Sequence, residues 1–370
     1  MRSVPVVYVH FADAVSSASY LWSTMRLTID QGNAVVLLTH PAVVVPADVS
    51  ACLADRADAY DLALRSHAMK RLERVYMPGA KAAASVLGNI REPQEALNLK
   101  RFFVMHEYMH LKKLRVAMLL DSDASLLSHS SVIWSYMRAQ QPRCSSALVA
   151  QDWRGMGQAT WAHWAGTSML SLEVLSDFLE FAVALYHPKT MAAVASAAKS
   201  KRPSPMAAKH WNDMITWYLF DVAADNSTHA RAVELRTFED EYGVKLPRVA
   251  RRWHLCDLTA FGINNNHVGF MGPRTDYHSR ISSYLTLPGP FSMYQRELTF
   301  DRRRRFWWKN ESVRSMHFWL QKSTVLEIVP AWTHLNSSCS LPDYHPAWGT
   351  MAWGKLAYVL GISGQRRTRT

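Results

Sequence analysis

The chain of 370 residues contains 49% hydrophobic and 19% charged residues, which is typical of a folded globular protein and excludes a largely disordered one. Its net charge of +12 permits binding to nucleic acid, anionic lipid or another polyanion and requires none of them. No apolar stretch is long enough to span a membrane.

The first half of the chain alternates between strand-like and helix-like segments. Val6–Val9 predicts a strand, and the segment from Ala12 to about Ile29 predicts a helix that stops at Gly32. Ala34–Thr39 predicts a second strand. Apolar residues then recur every three or four positions between residues 99 and 109, which predicts an amphipathic helix. This alternation is typical of the α/β class, in which helices cover the faces of a sheet.

The second half is less regular. Ser171 predicts the N-cap of a helix that ends at Pro188. The sequence then predicts, in order, a loop at Lys199–Pro205, a short helix at Asp213–Asp221 and a strand at Val313–Phe318. We expect residues 1–364 to form one domain and the polar, basic tail at 365–370 to be disordered.

The most informative segment is the apolar run Val116–Leu120 and the Asp121-Ser122-Asp123 motif that follows it. Five consecutive apolar residues predict a strand that is buried on both faces. Residues i and i+2 of an extended chain point to the same side, so the two carboxylates come close together. A divalent cation with a diphosphate ligand would neutralise them, and ligands of open α/β sheets bind at the carboxyl ends of strands. The alternative is a surface turn with two solvated aspartates.

Five segments together resemble one enzyme family in their order along residues 4–325. They are Arg101-Phe102-Phe103, Leu119–Asp123, Trp164–Ser168, Trp211–Met214 and Arg314–Phe318. The chain resembles nucleotide-diphospho-sugar transferases of the GT-A type, which carry a DxD motif. The resemblance implies a Rossmann-like mixed sheet flanked by helices in a single large domain. It also implies transfer of a hexose or pentose from a nucleotide sugar, expected to be a UDP-sugar, to a hydroxyl of a glycan, glycoprotein or other acceptor.

The resemblance also implies a metal site that holds Mn²⁺ or Mg²⁺. Asp123 would bind the metal directly, Asp121 would reach the ribose or bind the metal through water, and Ser122 would lie in the nucleotide site. His317 stands where the family has a late metal-binding histidine, and an imidazole ligand favours Mn²⁺. The family pattern continues as His-x-x-Gly-x-x-Lys with a lysine that neutralises the leaving phosphates. Here the glycine is missing and Lys322 comes one residue early. A histidine in the core or at a sheet edge is the alternative for His317.

Four further residues are candidates for the donor and acceptor sites. His10 and Phe11 follow the first strand, where the GT-A arrangement places the base and ribose, and either ring could stack on uracil; an ordinary loop is the alternative. Arg101 stands where the family often has an arginine that reaches the diphosphate or the first DxD carboxylate, or is an exposed helical residue. Asp213 is the candidate general base for an inverting transfer. In a retaining enzyme it would bind the acceptor, and a plain helix cap is the structural alternative.

Two other functional classes remain open. Haloacid-dehalogenase-like phosphatases also place Asp-x-Asp after a buried strand, but Ser125 stands where their motif has Thr or Val, and about 115 residues precede the strand here. A basic nucleic-acid-binding protein is the second alternative. Its main support is Arg302–Arg305 with the aromatic residues that follow, and a solvated charged face explains that run equally well. We expect no nucleic-acid partner.

The cysteines and sequons bear on the cellular compartment. Four widely spaced cysteines form no CxxC pair, which argues against a zinc module or a disulfide-dense scaffold and permits one or two disulfides. Three N-x-[ST] sequons, at Asn226, Asn310 and Asn336, matter only in a secretory compartment. The segment from Val4 to Phe11 predicts a strand rather than a leader. The sequence therefore leaves two compartments open: the cytoplasm if Met1 is the native start, or the Golgi lumen with an anchor removed.

Overall fold

A seven-stranded mixed sheet lies at the centre of the computed structural model, which describes residues 4–12, 14–15, 20–87, 92–126, 128–150, 163–201, 213–224, 239–240, 243–258, 298–300, 306–308, 311–313 and 315–317. The described strands are β1 Val6–His10, β2 Val35–Thr39, β3 Asp55–Asp58, β4 Val116–Leu120, β5 Ala124–Leu126, β6 Ser146–Ala150, β7 His163–Ser171, β8 Leu255–Asp257, β9 Leu298–Phe300, β10 Phe306–Trp308, β11 Glu311–Val313 and β12 Ser315–His317.

The helices connect these strands and cover the sheet. They are α1 Tyr20–Asp30, α2 Ala47–Cys52, α3 Ala59–Arg65, α4 His67–Leu87, α5 Glu92–Leu111, α6 Ser130–Gln140, α7 Leu172–Leu185, α8 Pro188–Lys201 and α9 Asp213–Ala224. None of these described helices combines the length and the apolar character that crossing a membrane requires. The predicted α/β fold, a mixed sheet flanked by helices, is confirmed.

The order of the strands in the main sheet is β3–β2–β1–β4–β7–β6–β8. Strands β1 to β4 are parallel, β7 runs antiparallel to both β4 and β6, and β8 is parallel to β6. The parallel half therefore brings the carboxyl ends of β1, β2, β3 and β4 to one edge. Two smaller sheets accompany it, β9–β10–β11 and the antiparallel pair β5–β12.

Alternate residues of the strands pack into two separate cores. Val7 and Val36 point to the face covered by α3, α4, α5, α7, α8 and α9. Their neighbours Val6 and Val35 point to the opposite face, which α1, α2 and α6 cover. Burial on both faces explains why β1, β2 and β4 are nearly all apolar, whereas β3, at the edge of the sheet, is less buried and mostly polar.

The predicted strand that leads into the DxD motif is confirmed as β4. It lies between β1 and β7 in the middle of the sheet, and all of its residues except the half-buried Val116 are buried. A central, doubly buried position is the environment that the apolar run predicts. Asp121 follows this strand directly.

Two helix boundaries differ from the sequence predictions. The first helix begins at Tyr20 rather than Ala12, because only the later residues, such as Trp22 and Met25, supply a periodic apolar face for the core. The helix capped by Ser171 is confirmed, and the Ser171 hydroxyl accepts a hydrogen bond from the Val174 amide at 3.3 Å. That helix ends at Leu185, before Pro188. Pro188 instead begins α8, since proline fits the first turn of a helix, where its missing N–H costs nothing.

Four later predictions are partly corrected or lie outside the described residues. Residues 199–201 belong to α8 rather than to a loop, and 202–205 are not described. The short helix from Asp213 continues to Ala224, because apolar residues up to its last turn remain buried. The single strand predicted at 313–318 is two short strands that pair with different partners, β11 with β10 and β12 with β5. Residues 365–370 are outside the described part.

A disulfide joins two segments at one end of the sheet. Cys144 precedes β6, Cys256 lies in β8, and their Cα atoms are 5.8 Å apart with 112 residues between them in sequence. Because β8 is bound to the sheet through three residues, a covalent link to the segment before β6 restrains this strand. This is one of the disulfides that the cysteine count permits.

Candidate active site at the carboxyl edge of the sheet

The DxD motif and the end of β1 lie at the same edge of the sheet. Tyr8 of β1 pairs with Leu120 of β4, so His10, the last residue of β1, and Asp121, which follows β4, lie at the carboxyl ends of neighbouring parallel strands. Asp121 is half-buried, and Asp123 is only 7% exposed. The carboxyl edge of parallel strands is the expected ligand site of an open α/β sheet.

Hydrogen bonds from several elements fix the turn that carries the two aspartates. The Asp121 amide donates to the Gly166 carbonyl oxygen of β7 at 2.6 Å, and the Ala124 amide donates back to the Asp121 carbonyl oxygen at 2.9 Å. The Thr24 hydroxyl of α1 donates to the Ser122 carbonyl oxygen at 2.8 Å. The turn is therefore held from β7 and from α1, which leaves its carboxylates on a rigid support.

Tyr8 of β1 also holds this turn in place. Its hydroxyl donates to the Ala124 carbonyl oxygen at 2.9 Å and lies 2.7 Å from the Thr28 hydroxyl. Complete burial raises the pKa of the Tyr8 phenol, so the group stays protonated and can donate. Tyr8, Thr24 and Thr28 were not predicted from the sequence, because nothing in the spacing of a core tyrosine or of two helical threonines shows which distant carbonyl they reach.

Arg101 connects the DxD motif to the start of α9. Its Nη1 forms an ion pair with Oδ1 of Asp121, and its Nη2 lies 2.7 Å from Oδ2 of Asp213. Asp213 is the first residue of α9 and is 3% exposed. The Nε of Arg101 is buried and has no hydrogen-bond partner within the described ranges. Arg101 of α5 thus contacts two residues that the sequence selected separately, Asp121 after β4 and Asp213 at the start of α9.

The backbone of His317 lies next to the DxD turn. Strand β12 pairs antiparallel with β5, and the Cα partner of His317 is Ala124, the residue after Asp123. The side chain of His317 is outside the described set. Lys322 and the segment Trp211-Asn212 are also outside the described residues, so their predicted roles stay predictions.

A second group of polar atoms lies at the ends of β1 and β2. His10 and Thr39 are register partners on these parallel strands. Nε2 of His10 and the hydroxyl of Thr39 are both buried and have no hydrogen-bond partner among the residues that the structure describes. Burial lowers the pKa of His10, which favours its neutral form. Unpartnered buried polar atoms are rare in folded proteins, and two of them side by side are consistent with a polar ligand at this place.

Phe11 is held by aromatic neighbours. The Tyr60 hydroxyl donates to the Phe11 carbonyl oxygen, and the two rings meet edge to face with centroids 6.1 Å apart. His40 packs on the other side of this cluster, with its ring centroid 5.0 Å from that of Tyr60. Tyr60 and His40 were not predicted, because their sequence neighbourhoods carry no motif. A base that reached Phe11 would meet a ring with a fixed orientation.

The described side chains of this site include carboxylates that could hold a cation. Asp121 and Asp213 both contact the guanidinium of Arg101, and Asp123 lies two residues after Asp121 with only 7% of its surface exposed. Within the part of the chain that the structure describes, no three His, Cys, Asp or Glu side chains are grouped to hold a metal ion by themselves. A cation here would therefore take further ligands from a diphosphate, from water or from His317, which is how Mg²⁺ and similar ions commonly bind with substrate phosphates.

The chain matches no protein-family model and no curated protein. Among solved structures it is similar to the apo form of mouse xyloside xylosyltransferase 1, with 10% sequence identity and a TM-score of 0.37 over 66% of this chain and 95% of that chain. It is also similar to the apo structure of the bifunctional glycosyltransferase WbbM, with 11% identity and a TM-score of 0.25, and covers 38% of that chain.

Proposed function

We propose that this chain is a metal-dependent glycosyltransferase that moves a sugar from a nucleotide-diphosphate sugar, a UDP-sugar by preference, to a hydroxyl of a glycan, glycoprotein or other acceptor. The observation that carries the proposal is the DxD turn at the carboxyl edge of the sheet, which hydrogen bonds from β7 and α1 hold in place. Ligands of open α/β sheets bind at this edge, and carboxylates are common ligands of a cation that also binds substrate phosphates.

The proposed reaction exchanges one bond for another. The acceptor oxygen forms a bond to the anomeric carbon, the bond from that carbon to the diphosphate oxygen breaks, and the acceptor proton passes to a base. Charge grows on the leaving diphosphate, and a bound Mn²⁺ or Mg²⁺ would supply Lewis-acid stabilisation of that charge. Asp123 would hold the cation with His317, and Asp121 would orient the ribose. Lys322 remains the proposed partner of the phosphates.

The nucleotide base is proposed to bind beside His10, Phe11 and Thr39. Phe11 supplies a ring fixed by Tyr60, and His10 and Thr39 supply polar atoms without protein partners. A uracil offers two carbonyl oxygens and one N–H, which complement a hydroxyl and a neutral imidazole. The base site and the metal site then lie at the ends of neighbouring strands, as a nucleoside diphosphate requires.

The geometry argues against the phosphatase alternative. A haloacid-dehalogenase-like enzyme would use the first aspartate, Asp121, as its nucleophile. Here Asp121 is ion-paired with Arg101, which reduces the nucleophilicity of its carboxylate. The arginine run of the nucleic-acid alternative, residues 302–305, lies outside the described residues.

The test is an activity screen with matched variants. The purified chain is incubated with a panel of UDP- and GDP-sugars in Mn²⁺ or in EDTA, and the release of the nucleoside diphosphate is measured. We expect release from at least one donor in Mn²⁺ and none in EDTA. Asp123→Asn should abolish the release. Asp177→Asn removes a carboxylate that is ion-paired to Arg251 away from the site, and it should retain the activity. Equal release in EDTA would contradict the proposal.

A further inference from the structure

Asp213 is placed poorly for the role of general base. A base must come within about 2.6 to 3.2 Å of the acceptor hydroxyl. Oδ2 of Asp213 is already 2.7 Å from Nη2 of Arg101, and the side chain is almost completely buried. Arg101 also binds Asp121, so a single side chain connects Asp213 to the DxD motif.

We propose that Asp213 is a positioning residue that acts through Arg101 on Asp121 and thereby sets the affinity of the DxD site for a divalent cation and a nucleoside diphosphate. The inference rests on the proposed function, because it assigns a role within that same site. In this role Asp213 connects α9 to the metal site, whereas a general base would contact the acceptor.

The physical reason is that one guanidinium is shared between two carboxylates. The Asp213 carboxylate binds one arm of Arg101 and neutralises part of its positive charge, so the Asp121 carboxylate stays more negative toward a bound ligand. When asparagine replaces Asp213, the positive charge of Arg101 acts on Asp121 alone. The net charge of the site then becomes less negative by one, and its attraction for a divalent cation falls.

Geometry adds to the electrostatic effect. Arginine has a planar fork that can donate to two carboxylates at once, and a lysine has a single ammonium that cannot span them in the same way. Asp213 is fixed at the first turn of α9, so its carboxylate anchors the outer arm of the fork. Without this anchor the guanidinium can turn both arms toward Asp121 and compete with the ligand for its oxygen atoms.

The experiment measures binding without acceptor and without a transferable sugar. UDP is titrated into the full chain in Mn²⁺ by calorimetry, for the wild type and for Asp213→Asn, Asp213→Glu and Arg101→Lys. Asp213→Asn keeps the shape of the side chain and a hydrogen-bond acceptor but removes the charge. We expect it to weaken the binding of UDP with Mn²⁺ by about tenfold or more, on the order of a one-unit change in site charge. Asp213→Glu should recover part of the affinity, and Arg101→Lys should resemble Asp213→Asn.

Asp177→Asn provides the control for stability. Asp177 lies in α7 and also binds an arginine, with Oδ1 2.8 Å from Nη2 of Arg251. This variant should lower the melting temperature as Asp213→Asn does and leave UDP binding unchanged. The comparison separates the general loss of an ion pair from an effect on the site.

Three results would overturn the inference. If Asp213→Asn binds UDP and Mn²⁺ like the wild type but turns over slowly, Asp213 is the base that the sequence predicted. If this variant loses stability only, to the extent that Asp177→Asn does, Asp213 is a helix cap. If the wild type itself binds neither UDP nor GDP in Mn²⁺, the proposed function is wrong and the inference fails with it.

Discussion

The hydroxyl of Tyr8 donates a hydrogen bond to the carbonyl oxygen of Ala124, the residue after Asp123, across 116 positions of sequence. The bond joins the centre of β1 to the first residue after the DxD turn. Since the same hydroxyl contacts Thr28 of α1, one buried phenol holds two elements in register with the proposed metal site.

Tyr8→Phe should therefore affect both stability and ligand binding. The change leaves a buried carbonyl without its donor, which we expect to lower the free energy of unfolding by about 1 to 2 kcal/mol. Urea denaturation measures this effect. The affinity for UDP in Mn²⁺, measured by calorimetry, should also fall because the DxD turn loses one of its supports.

Tyr108→Phe is the matched control for Tyr8→Phe. The Tyr108 hydroxyl donates to Oδ2 of Asp55 at 2.8 Å, at a distance from the DxD turn. Its removal should reduce stability and leave the affinity for UDP unchanged. If both variants bind UDP equally well, Tyr8 supports the fold and has no part in positioning the site.

The unpartnered hydroxyl of Thr39 gives a prediction in which stability and binding change in opposite directions. Thr39→Val removes a buried hydroxyl that has no hydrogen-bond partner in the described part of the chain and keeps the shape of the side chain. The free energy of unfolding should stay the same or rise by up to about 1 kcal/mol. If the hydroxyl binds the base or ribose, the affinity for UDP should fall roughly fivefold.

Inorganic pyrophosphate is the control ligand for Thr39→Val, because it lacks the base and the ribose. Its binding in Mn²⁺ should be unchanged by the substitution. Wild-type affinity for UDP in this variant would show that the nucleoside does not contact Thr39. The base would then bind away from β2.

Local patterns were sufficient to predict the elements that depend on nearest neighbours in sequence. Strand β4 could be assigned from its continuous apolar run, because a strand that is buried on both faces has no alternating polar residues. Ser171 was recognised as an N-cap because its role depends on the residue three positions later. The start of α1 was placed too early because apolar residues precede the helix: Val15 packs against the core although it is not helical.

The contacts that build the site join residues far apart in sequence. Arg101 and Asp213 are separated by 112 positions, and their ion pair depends on how α5 and α9 pack against the sheet. The family resemblance identified each of them as a candidate, but no spacing in the sequence shows that they touch. The sequence could not predict that the Thr39 hydroxyl has no partner among the described residues. That property depends on which groups surround the hydroxyl in the folded protein and not on the residue type.

Buried histidines should make the protein less stable below neutral pH. Burial, with the charge of His110 as a smaller cause, lowers the pKa of His106 below its ordinary value of 6.5, and burial does the same for His10. The unfolded chain therefore binds more protons than the folded one when the pH falls below about 6.5, so this stability is present above that pH and lost below it. Glu180 opposes the effect at His106.

His106→Gln tests this pH dependence. Nε2 of His106 lies 2.7 Å from the Ser176 hydroxyl, and glutamine can replace that contact without titrating. Between about pH 7 and pH 5, the free energy of unfolding should fall less steeply in the variant than in the wild type. Urea denaturation at several pH values measures the slope, and His187→Gln, at an exposed histidine, is the control. An unchanged slope would show that His106 does not contribute.

The last prediction concerns His317, whose backbone pairs with Ala124 beside the second DxD aspartate. If its imidazole is a metal ligand, His317→Ala should raise the Mn²⁺ concentration needed for UDP binding and lower turnover at least tenfold, since a lost ligand usually costs more than about 1.4 kcal/mol. The measurement is a titration of Mn²⁺ at fixed UDP and at a fixed donor sugar.

Ser315→Ala is the matched control, because Ser315 lies in the same short strand and pairs with Leu126 at the far end of β5. A weakened β12 would affect both variants alike, whereas a lost ligand affects only His317→Ala. Added Mn²⁺ should restore part of the turnover of His317→Ala, because the carboxylates of Asp121 and Asp123 remain. Full activity of His317→Ala at limiting Mn²⁺ would show that His317 has only a structural role in β12. The carboxylates and the diphosphate would then be the ligands of the cation.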